Sequence, residues 1–338
     1  MQFSLLNAVR NHPDDAYAEA DVYADYISDA ELAEELGFVR SWYGEHHFRS
    51  CQWTGSPIQL CTAVAARTEH LRVGTCVKLL PFHDPIRVAE DVATCDILSR
   101  GRFDFGIGPG SQYEEFRTFG VNPSEMSGRM WESIDWIMEA LASEGMFSHE
   151  GKYYDIPDMT FTTKPVQDPI PVWSSAMAPQ NQRRAARRGF NFIGPFNMGW
   201  DAALEAAGHD PATIQVASMQ MLHISDSVER AWEESAAGLE YFVNFYHLRR
   251  ELNGELPGNE PITPQMIREG NAGFWSASVG TPQDVIAGLT PFVNGTMGRN
   301  TELALAFRHA GMRTPEVHRA MRLFAAEVAP ALVELAAS

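Results

Sequence analysis

The sequence predicts a single α/β domain, residues 1–338, folded as a (β/α)8 TIM barrel with an insertion before the last strand. The first observation is that apolar, strand-like runs alternate with helical runs along the chain. The second is that eight such strands can be counted, which favours a closed barrel over an open doubly wound sheet. The third is the length of 338 residues, which accommodates a barrel of roughly 250 residues and an insertion.

The first half of the chain alternates regularly between the two kinds of element. In its first helix, Ile27, Leu32 and Leu36 lie roughly on one face, and Gly37 suits a C-terminal stop. The strands are apolar on both faces, which is typical of a parallel sheet covered by helices. The predicted strands are Gln2–Asn7, Phe38–Tyr43, Leu71–Leu80 and Arg102–Ile107, and the predicted helices are Asp25–Gly37, Ser56–Arg67 and Asp84–Leu98.

The second half continues the alternation with more interruptions. A long helix over Asn122–Ser143 has Pro123 near its first turn, and Phe147–Ile156 reads as a surface hairpin. The remaining predicted strands are Pro171–Ser175, Phe190–Gly194, Ile214–Ile224 and Thr301–Phe307, and the remaining helices are Pro179–Arg188, Asp226–Leu239 and Pro315–Ala336. Tyr241–Ala277 is rich in Gly and Pro, so we expect a mobile insertion that acts as a lid. A Rossmann-type domain is the alternative, but no GxGxxG follows the first strand.

Composition bounds the partners and the compartment. The net charge of −18 disfavours binding to phosphate backbones or anionic membranes. No window approaches 18 uncharged apolar residues, and the N-terminus does not resemble a signal peptide. Cys51, Cys61, Cys76 and Cys95 form no CxxC pair, which indicates isolated reduced thiols. We therefore expect a cytoplasmic protein that binds neither nucleic acid nor membrane.

Polar residues follow the second predicted strand, at Glu45-His46-His47. Neighbouring side chains diverge, so the two histidines cannot both face one metal, and no HExxH spacing is present. We predict no metal site. A histidine at a strand end is a candidate for proton transfer near neutral pH, and a hydrogen-bonded structural histidine is the alternative.

Two further strand ends are candidate binding elements. The Gly106-Ile107-Gly108-Pro109-Gly110 loop permits close backbone approach to a flat ring or a phosphate, although glycine also serves turn geometry. The start of the helix after Ala176 is a candidate phosphate site, and an ordinary helix with a solvated basic face is the alternative. Aromatic side chains flank these ends, mostly as core and partly as pocket lining: Trp42, Tyr43, Phe48, Trp53, Phe82 and Phe105.

Several segments resemble the bacterial luciferase-like flavin monooxygenases, in the order in which that family has them. They are Glu45–Phe48 (EHHF), Val73–Val92, Ser99–Gly120, Pro171–Pro179 (PVWSSAMAP) and Val279–Leu289. The resemblance implies a (β/α)8 barrel with an insertion before the last strand. It also implies reduced FMN delivered by a separate reductase, or the deazaflavin F420 in some relatives. Gly108 and Pro109 stand where light-emitting members carry cysteine and arginine, which argues against bioluminescence.

The same resemblance implies roles for individual residues. His46 matches the histidine near the flavin C4a edge, where it would shuttle a proton. Cys76-Val77 matches a cis, non-proline peptide that backs the flavin ring. The other implied cofactor contacts are Gly108 beside the ring, Ser111, and Ala176, Met177, Ala178 and Asn181 at the phosphate.

The predicted function is that of a two-component, FMNH2- and O2-dependent monooxygenase acting on a small, mostly apolar substrate through a flavin C4a-hydroperoxide. An F420-dependent oxidoreductase and a non-catalytic flavin-binding subunit are the alternatives. The expected partners are an NAD(P)H:flavin reductase and a second copy of the chain, paired through the helices near Pro57–Arg67 and Ile86–Leu98.

Overall fold

Parallel strands close into a barrel in this computed structural model, which describes residues 1–8, 11–12, 14–48, 54–197, 199–247, 260–272 and 276–337. The barrel order is β1-β2-β3-β5-β8-β9-β10-β12, and β12 pairs with β1 to complete the ring. The strands of the described residues are β1 Gln2–Asn7, β2 Arg40–Tyr43, β3 Arg72–Thr75, β4 Lys78–Leu79, β5 Phe103–Gly108, β6 Met146–Glu150, β7 Asp155–Thr160, β8 Val172–Ser174, β9 Asn191–Gly194, β10 Val216–Ile224, β11 Ala277–Gly280 and β12 Glu302–Ala306.

Helices cover the outside of the barrel and part of one rim. They are α1 Glu19–Glu35, α2 Pro57–Ala65, α3 Pro85–Leu98, α4 Tyr113–Phe119, α5 Met126–Ala142, α6 Pro179–Arg187, α7 Trp200–Ala206, α8 Val228–His247, α9 Pro264–Arg268, α10 Pro282–Val293, α11 Thr314–Leu323 and α12 Ala329–Ala337. None of these helices is long and apolar enough to cross a membrane.

All eight predicted strands are present, so the predicted fold class is confirmed. The third is shorter than predicted, since Leu71–Leu80 becomes β3 and β4 on either side of Cys76-Val77. The predicted hairpin is the antiparallel pair of β6 and β7, which ends a few residues later than expected. The eight barrel strands were predicted correctly because their residues are mostly buried on both faces.

The segment before the last strand differs most from prediction. The helix predicted over Asp226–Leu239 continues to His247, so the first seven residues of the predicted insertion, 241–247, are helical. The insertion is followed by β11 and by α10, which packs on β10 as a barrel helix. Periodicity missed α10 because Pro291 interrupts it, although a capping box at Thr281 marks its start. The insertion's residues 248–259 and 273–275 lie outside the described structure.

The N-terminal end of the barrel interior is filled by a buried ion network. Arg40 donates to Asp104 Oδ2 at 2.7 Å and also pairs with Glu302. Trp42 Nε1 donates to Glu302 at 3.0 Å, and Trp173 Nε1 donates to Asp104 at 3.2 Å. These indole rings meet edge to face above the ions, with centroids 5.0 Å apart. The barrel is therefore closed at this end, and its opposite end remains for a site.

Candidate active site

The carboxyl ends of the strands form a floor of small and apolar side chains. Cys76, Val77 and Met219 are partly exposed there, above the buried indole pair, and Cys76 Sγ lies 3.5 Å from Met219 Sδ. The peptide bond between Cys76 and Val77 is cis, as the resemblance implied. Burial raises the pKa of the Cys76 thiol to about 12, so this thiol is neutral.

Gly108 shapes this floor through its lack of a side chain. A Cβ at this position would lie 2.4 Å from Val77 Cγ2, a distance that real contacts do not show. Glycine therefore lets β5 pass close to Val77. The following loop, from Pro109 to Ser111, is partly exposed and faces the same end of the barrel.

Glu45 organises the loop after β2. Its Oε1 accepts from Lys78 Nζ at 3.0 Å, from His47 Nε2 at 2.9 Å and from His83 Nε2 at 2.6 Å, while Oε2 accepts from the Leu79 amide at 2.8 Å. Burial alone would raise the pKa of Glu45, but these hydrogen bonds and the charge of Lys78 outweigh burial and lower it. Glu45 thereby ties the end of β2 to β4.

Glu45, His47 and His83 offer atoms close enough to one another to hold a metal ion. The Lys78 ammonium, however, donates to the same Glu45 oxygen. A cation there would have to displace Lys78, so hydrogen bonding accounts for the cluster without a metal.

His46 points to a different carboxylate from its neighbour His47. The ring of His46 is 7% exposed, with Nδ1 2.9 Å from Glu115 Oε1 and Nε2 3.0 Å from the Tyr246 hydroxyl. Phe245 packs edge-on against the ring, with centroids 5.0 Å apart. Both ring nitrogens are thus held, in a geometry suited to moving a proton.

Glu115 and Tyr246 were not among the predicted site residues. Glu115 lies on α4, within the Ser99–Gly120 segment that carries the resemblance. That segment could therefore have indicated Glu115 as a site residue. Tyr246 lies at the end of α8, in the predicted insertion, where no local pattern marks it.

The predicted phosphate corner lies at the start of α6. No side chain caps this helix at Ala178, which is exposed, while Ala176 is buried and Met177 is partly exposed. The side chain of Asn181 instead joins two helices, since its Oδ1 accepts from Ser127 Oγ at 2.7 Å and Trp131 Nε1 at 3.0 Å. Backbone amides at the helix start, with the favourable end of the helix dipole, remain the groups suited to an anion.

The predicted aromatic residues separate into core and rim. Trp42, Tyr43 and Phe105 are fully buried, and Trp53 lies outside the described residues. On the rim, Phe82 stacks on Phe119 at a centroid distance of 5.0 Å, and Phe48, which is 57% exposed, packs beside Phe119. This rim presents apolar surface next to the Glu45 cluster.

These features fit a flavin or deazaflavin. A partly exposed apolar floor suits a flat ring, an uncapped helix start suits a phosphate, and a buried histidine supplies a proton-transfer group. The fit rests on this donor set and on the apolar floor at Cys76 and Val77.

Comparison with known proteins gives the family of the sequence. The sequence profile of the luciferase-like monooxygenases matches residues 1–299. The oxygenase component of the flavin-dependent trigonelline monooxygenase from Acinetobacter baylyi is 26% identical over 311 residues, covering 85% of this chain and 84% of that protein.

Solved structures show the same fold. A monooxygenase from Streptomyces bottropensis superposes with a TM-score of 0.82 at 24% identity, covering 98% of this chain and 99% of that one. An F420-dependent secondary alcohol dehydrogenase superposes with a TM-score of 0.74 at 17% identity, covering 98% of each chain.

Proposed function

Because the chain belongs to the luciferase-like monooxygenase family, we propose that it is the oxygenase of a two-component system that uses FMNH2 and O2. Reduced FMN, when bound, would supply the electrons that activate O2. The observation that carries the proposal is His46, held at both ring nitrogens beside a partly exposed apolar floor.

Different residues of the chain have different roles in cofactor binding and proton transfer. Cys76, Val77 and Gly108 form the floor for the ring, with Ser111 at its edge. The start of α6, from Ala176 to Asn181, binds the phosphate through backbone amides. His46 holds or moves a proton at Nε2, the nitrogen that faces Tyr246.

The substrate is small and mostly apolar. The aromatic rim at Phe48, Phe82 and Phe119 supports this, since it offers apolar surface. The segment Tyr241–Ala277, of which residues 248–259 and 273–275 lie outside the described structure, acts as the lid that keeps water from the reaction.

An F420-dependent oxidoreductase is the second candidate, supported by the shared fold with the alcohol dehydrogenase. The net charge of −18 disfavours the anionic F420 tail. A non-catalytic flavin-binding subunit is the third, but such a subunit has no use for a histidine held as His46 is.

The proposal includes two protein partners in the cytoplasm. The trigonelline monooxygenase is described as an oxygenase component, which supports a separate NAD(P)H:flavin reductase here. A homodimer through α2 and α3 is supported by Ile97 and Leu98, which are 42% and 57% exposed at the end of α3. Light scattering of the purified protein, compared with a Leu98→Glu variant, tests the dimer.

The deciding experiment is anaerobic titration with FMNH2 and, separately, with reduced F420, followed by rapid mixing with O2. Tight FMNH2 binding and a slowly decaying peroxyflavin absorbance are expected. Binding of F420 alone, with no oxygen intermediate, would move the protein to hydride transfer. Failure to bind either would overturn both enzyme proposals.

A further inference from the structure

Helix α8 crosses the rim of the barrel above three neighbouring strand ends. Gly238 lies against the segment after β12, where a Cβ would sit 2.6 Å from the Ala310 carbonyl oxygen. Tyr241 packs on His12, beyond β1, with ring centroids 5.3 Å apart. Tyr246 then reaches His46, beyond β2. The end of this helix is therefore part of the site wall.

The partners of His46 fix which ring nitrogen is basic. Glu115 Oε1 accepts the Nδ1 proton at 2.9 Å, and the same oxygen accepts the His47 amide at 2.8 Å. With its proton on Nδ1, the neutral ring offers the Nε2 lone pair, which accepts the Tyr246 hydroxyl at 3.0 Å. The tautomer is assigned from this network.

Glu115 has a feature that a purely structural carboxylate does not need. Its side chain is fully buried, yet Oε2 has no hydrogen-bond partner among the residues that the structure describes. An unpartnered buried oxygen costs stability. The Glu115 carboxylate accepts the Nδ1 proton of His46 through Oε1 and leaves Oε2 without a described partner. Its negative charge therefore stabilises positive charge on His46.

Tyr246 controls access to His46. The ring is buried and both nitrogens are occupied, so a reactant meets His46 through the Tyr246 hydroxyl or after that hydroxyl has left. If the reactant contacts the Tyr246 hydroxyl, Tyr246 relays the proton to His46. If the hydroxyl must first leave, Tyr246 acts as a gate.

We propose that Tyr246, His46 and Glu115 form a proton relay in which the Tyr246 hydroxyl is the group that meets the reactants; this rests on the proposed function. A proton released by the reactants bonds to the Tyr246 oxygen as the hydroxyl proton passes to Nε2. No electrons move, and Glu115 stabilises the resulting imidazolium as a positioning residue. The relay depends on α8, because this helix places the Tyr246 hydroxyl 3.0 Å from His46 Nε2.

Histidine 15N NMR of the flavin-free protein tests the chain of hydrogen bonds without any reaction. We expect His46 to carry its proton on Nδ1, and Tyr246→Phe to change the Nε2 signal. Tyr241→Phe, one turn earlier on α8, is the matched control and should leave that signal unchanged. A proton on Nε2 in the wild-type protein would overturn the relay.

Coupled turnover tests the proton transfer itself. Tyr246→Phe should slow product formation at least about tenfold while FMNH2 binding is retained. A more acidic fluorotyrosine at position 246 should shift the pH profile of turnover to lower pH, which a structural role would not do. Unchanged or faster turnover in Tyr246→Phe would show a gate and overturn the relay. If the wild-type protein binds FMNH2 but forms no peroxyflavin with O2, the proposed function fails, and the NMR result still decides the hydrogen-bonded chain.

Discussion

The two ends of the barrel treat buried carboxylates differently. At the N-terminal end, both oxygens of Asp104 and both oxygens of Glu302 accept hydrogen bonds, from Arg40 and from the indoles of Trp42 and Trp173 among others. At the carboxyl end, Glu45 accepts hydrogen bonds at both oxygens, but within the described part of the chain one oxygen of the equally buried Glu115 has no partner.

This difference separates stability from function. In barrels of this type the N-terminal face mainly stabilises the fold, and the carboxyl face carries the chemistry. A fully paired network holds its side chains in one arrangement, whereas an incompletely paired one keeps electrostatic capacity for a charge that forms later. Substitutions at the two ends should therefore affect different measurements.

The largest effect on stability is expected from Arg40→Met. It removes the cation shared by Asp104 and Glu302 and leaves buried charge uncompensated, so the free energy of unfolding should fall by about 3–5 kcal/mol. Urea unfolding measures this. The control is Arg67→Met, whose side chain is 63% exposed beside Glu31 and should change stability by less than about 1 kcal/mol. Equal losses in the two variants would contradict the distinction between the ends.

The complementary substitution is His46→Ala at the carboxyl end. Loss of the proton-transfer group should lower coupled product formation about a hundredfold or more, with a smaller loss of stability than Arg40→Met. Turnover with a reductase and FMN measures this, with binding of FMNH2 as the check on folding. His70→Ala, at an exposed histidine, should retain full turnover. Full coupled turnover in His46→Ala would remove the role assigned to it.

The structure at the carboxyl end could be predicted from the sequence only in part. The eight strands were predictable because burial on both faces leaves mostly apolar runs, as in Phe103–Gly108, where Asp104 is the exception. The position of His46 just after a barrel strand was predictable because it follows such a run. Its partners were not, since Glu115 is 69 residues away and Tyr246 is 200 residues away. Contacts over such separations depend on how the chain closes, which periodicity does not encode.

The insertion shows the same limit. Its first residues look like a loop because Gly and Pro follow closely, yet Val243 is buried and Tyr241 and Tyr246 pack on the rim. Tertiary contacts with the strand ends extend α8 beyond the predicted stop at Leu239.

A smaller effect is expected from Gly108→Ala in the floor. The new methyl group must displace Val77, which would otherwise lie 2.4 Å away, and overpacking of this kind costs about 1–3 kcal/mol. If the floor supports the flavin ring, FMNH2 should bind about tenfold more weakly. Gly145→Ala is the control, because a Cβ there meets nothing within 4 Å. Equal FMNH2 affinity in both variants would place the ring elsewhere.

The smallest expected effect is on the pH dependence of stability. It concerns the first half of α8, which His223 on β10 joins to the barrel. His223 is fully buried, and its Nε2 lies 2.8 Å from Glu234 Oε2 on α8; Arg319 of α11 donates to the other Glu234 oxygen at 2.5 Å. Burial lowers the pKa of His223, and the hydrogen bond to Glu234 offsets this only in part.

The unfolded chain therefore binds a proton at His223 at a higher pH than the folded chain does. The stability associated with neutral His223 is complete above the unfolded pKa of about 6.5 and is lost as the pH falls toward the lower folded pKa, at up to about 1.4 kcal/mol per pH unit. His223→Gln keeps a donor for Glu234 without titrating, so urea unfolding should give it a flatter dependence on pH below about 6.5. His70→Gln should keep the wild-type slope, because its side chain is exposed. If His223→Gln and the wild-type protein lose stability in parallel as the pH falls, protonation of His223 does not affect the junction between α8 and the barrel. This junction would then resemble the N-terminal end, where buried charges are fully paired.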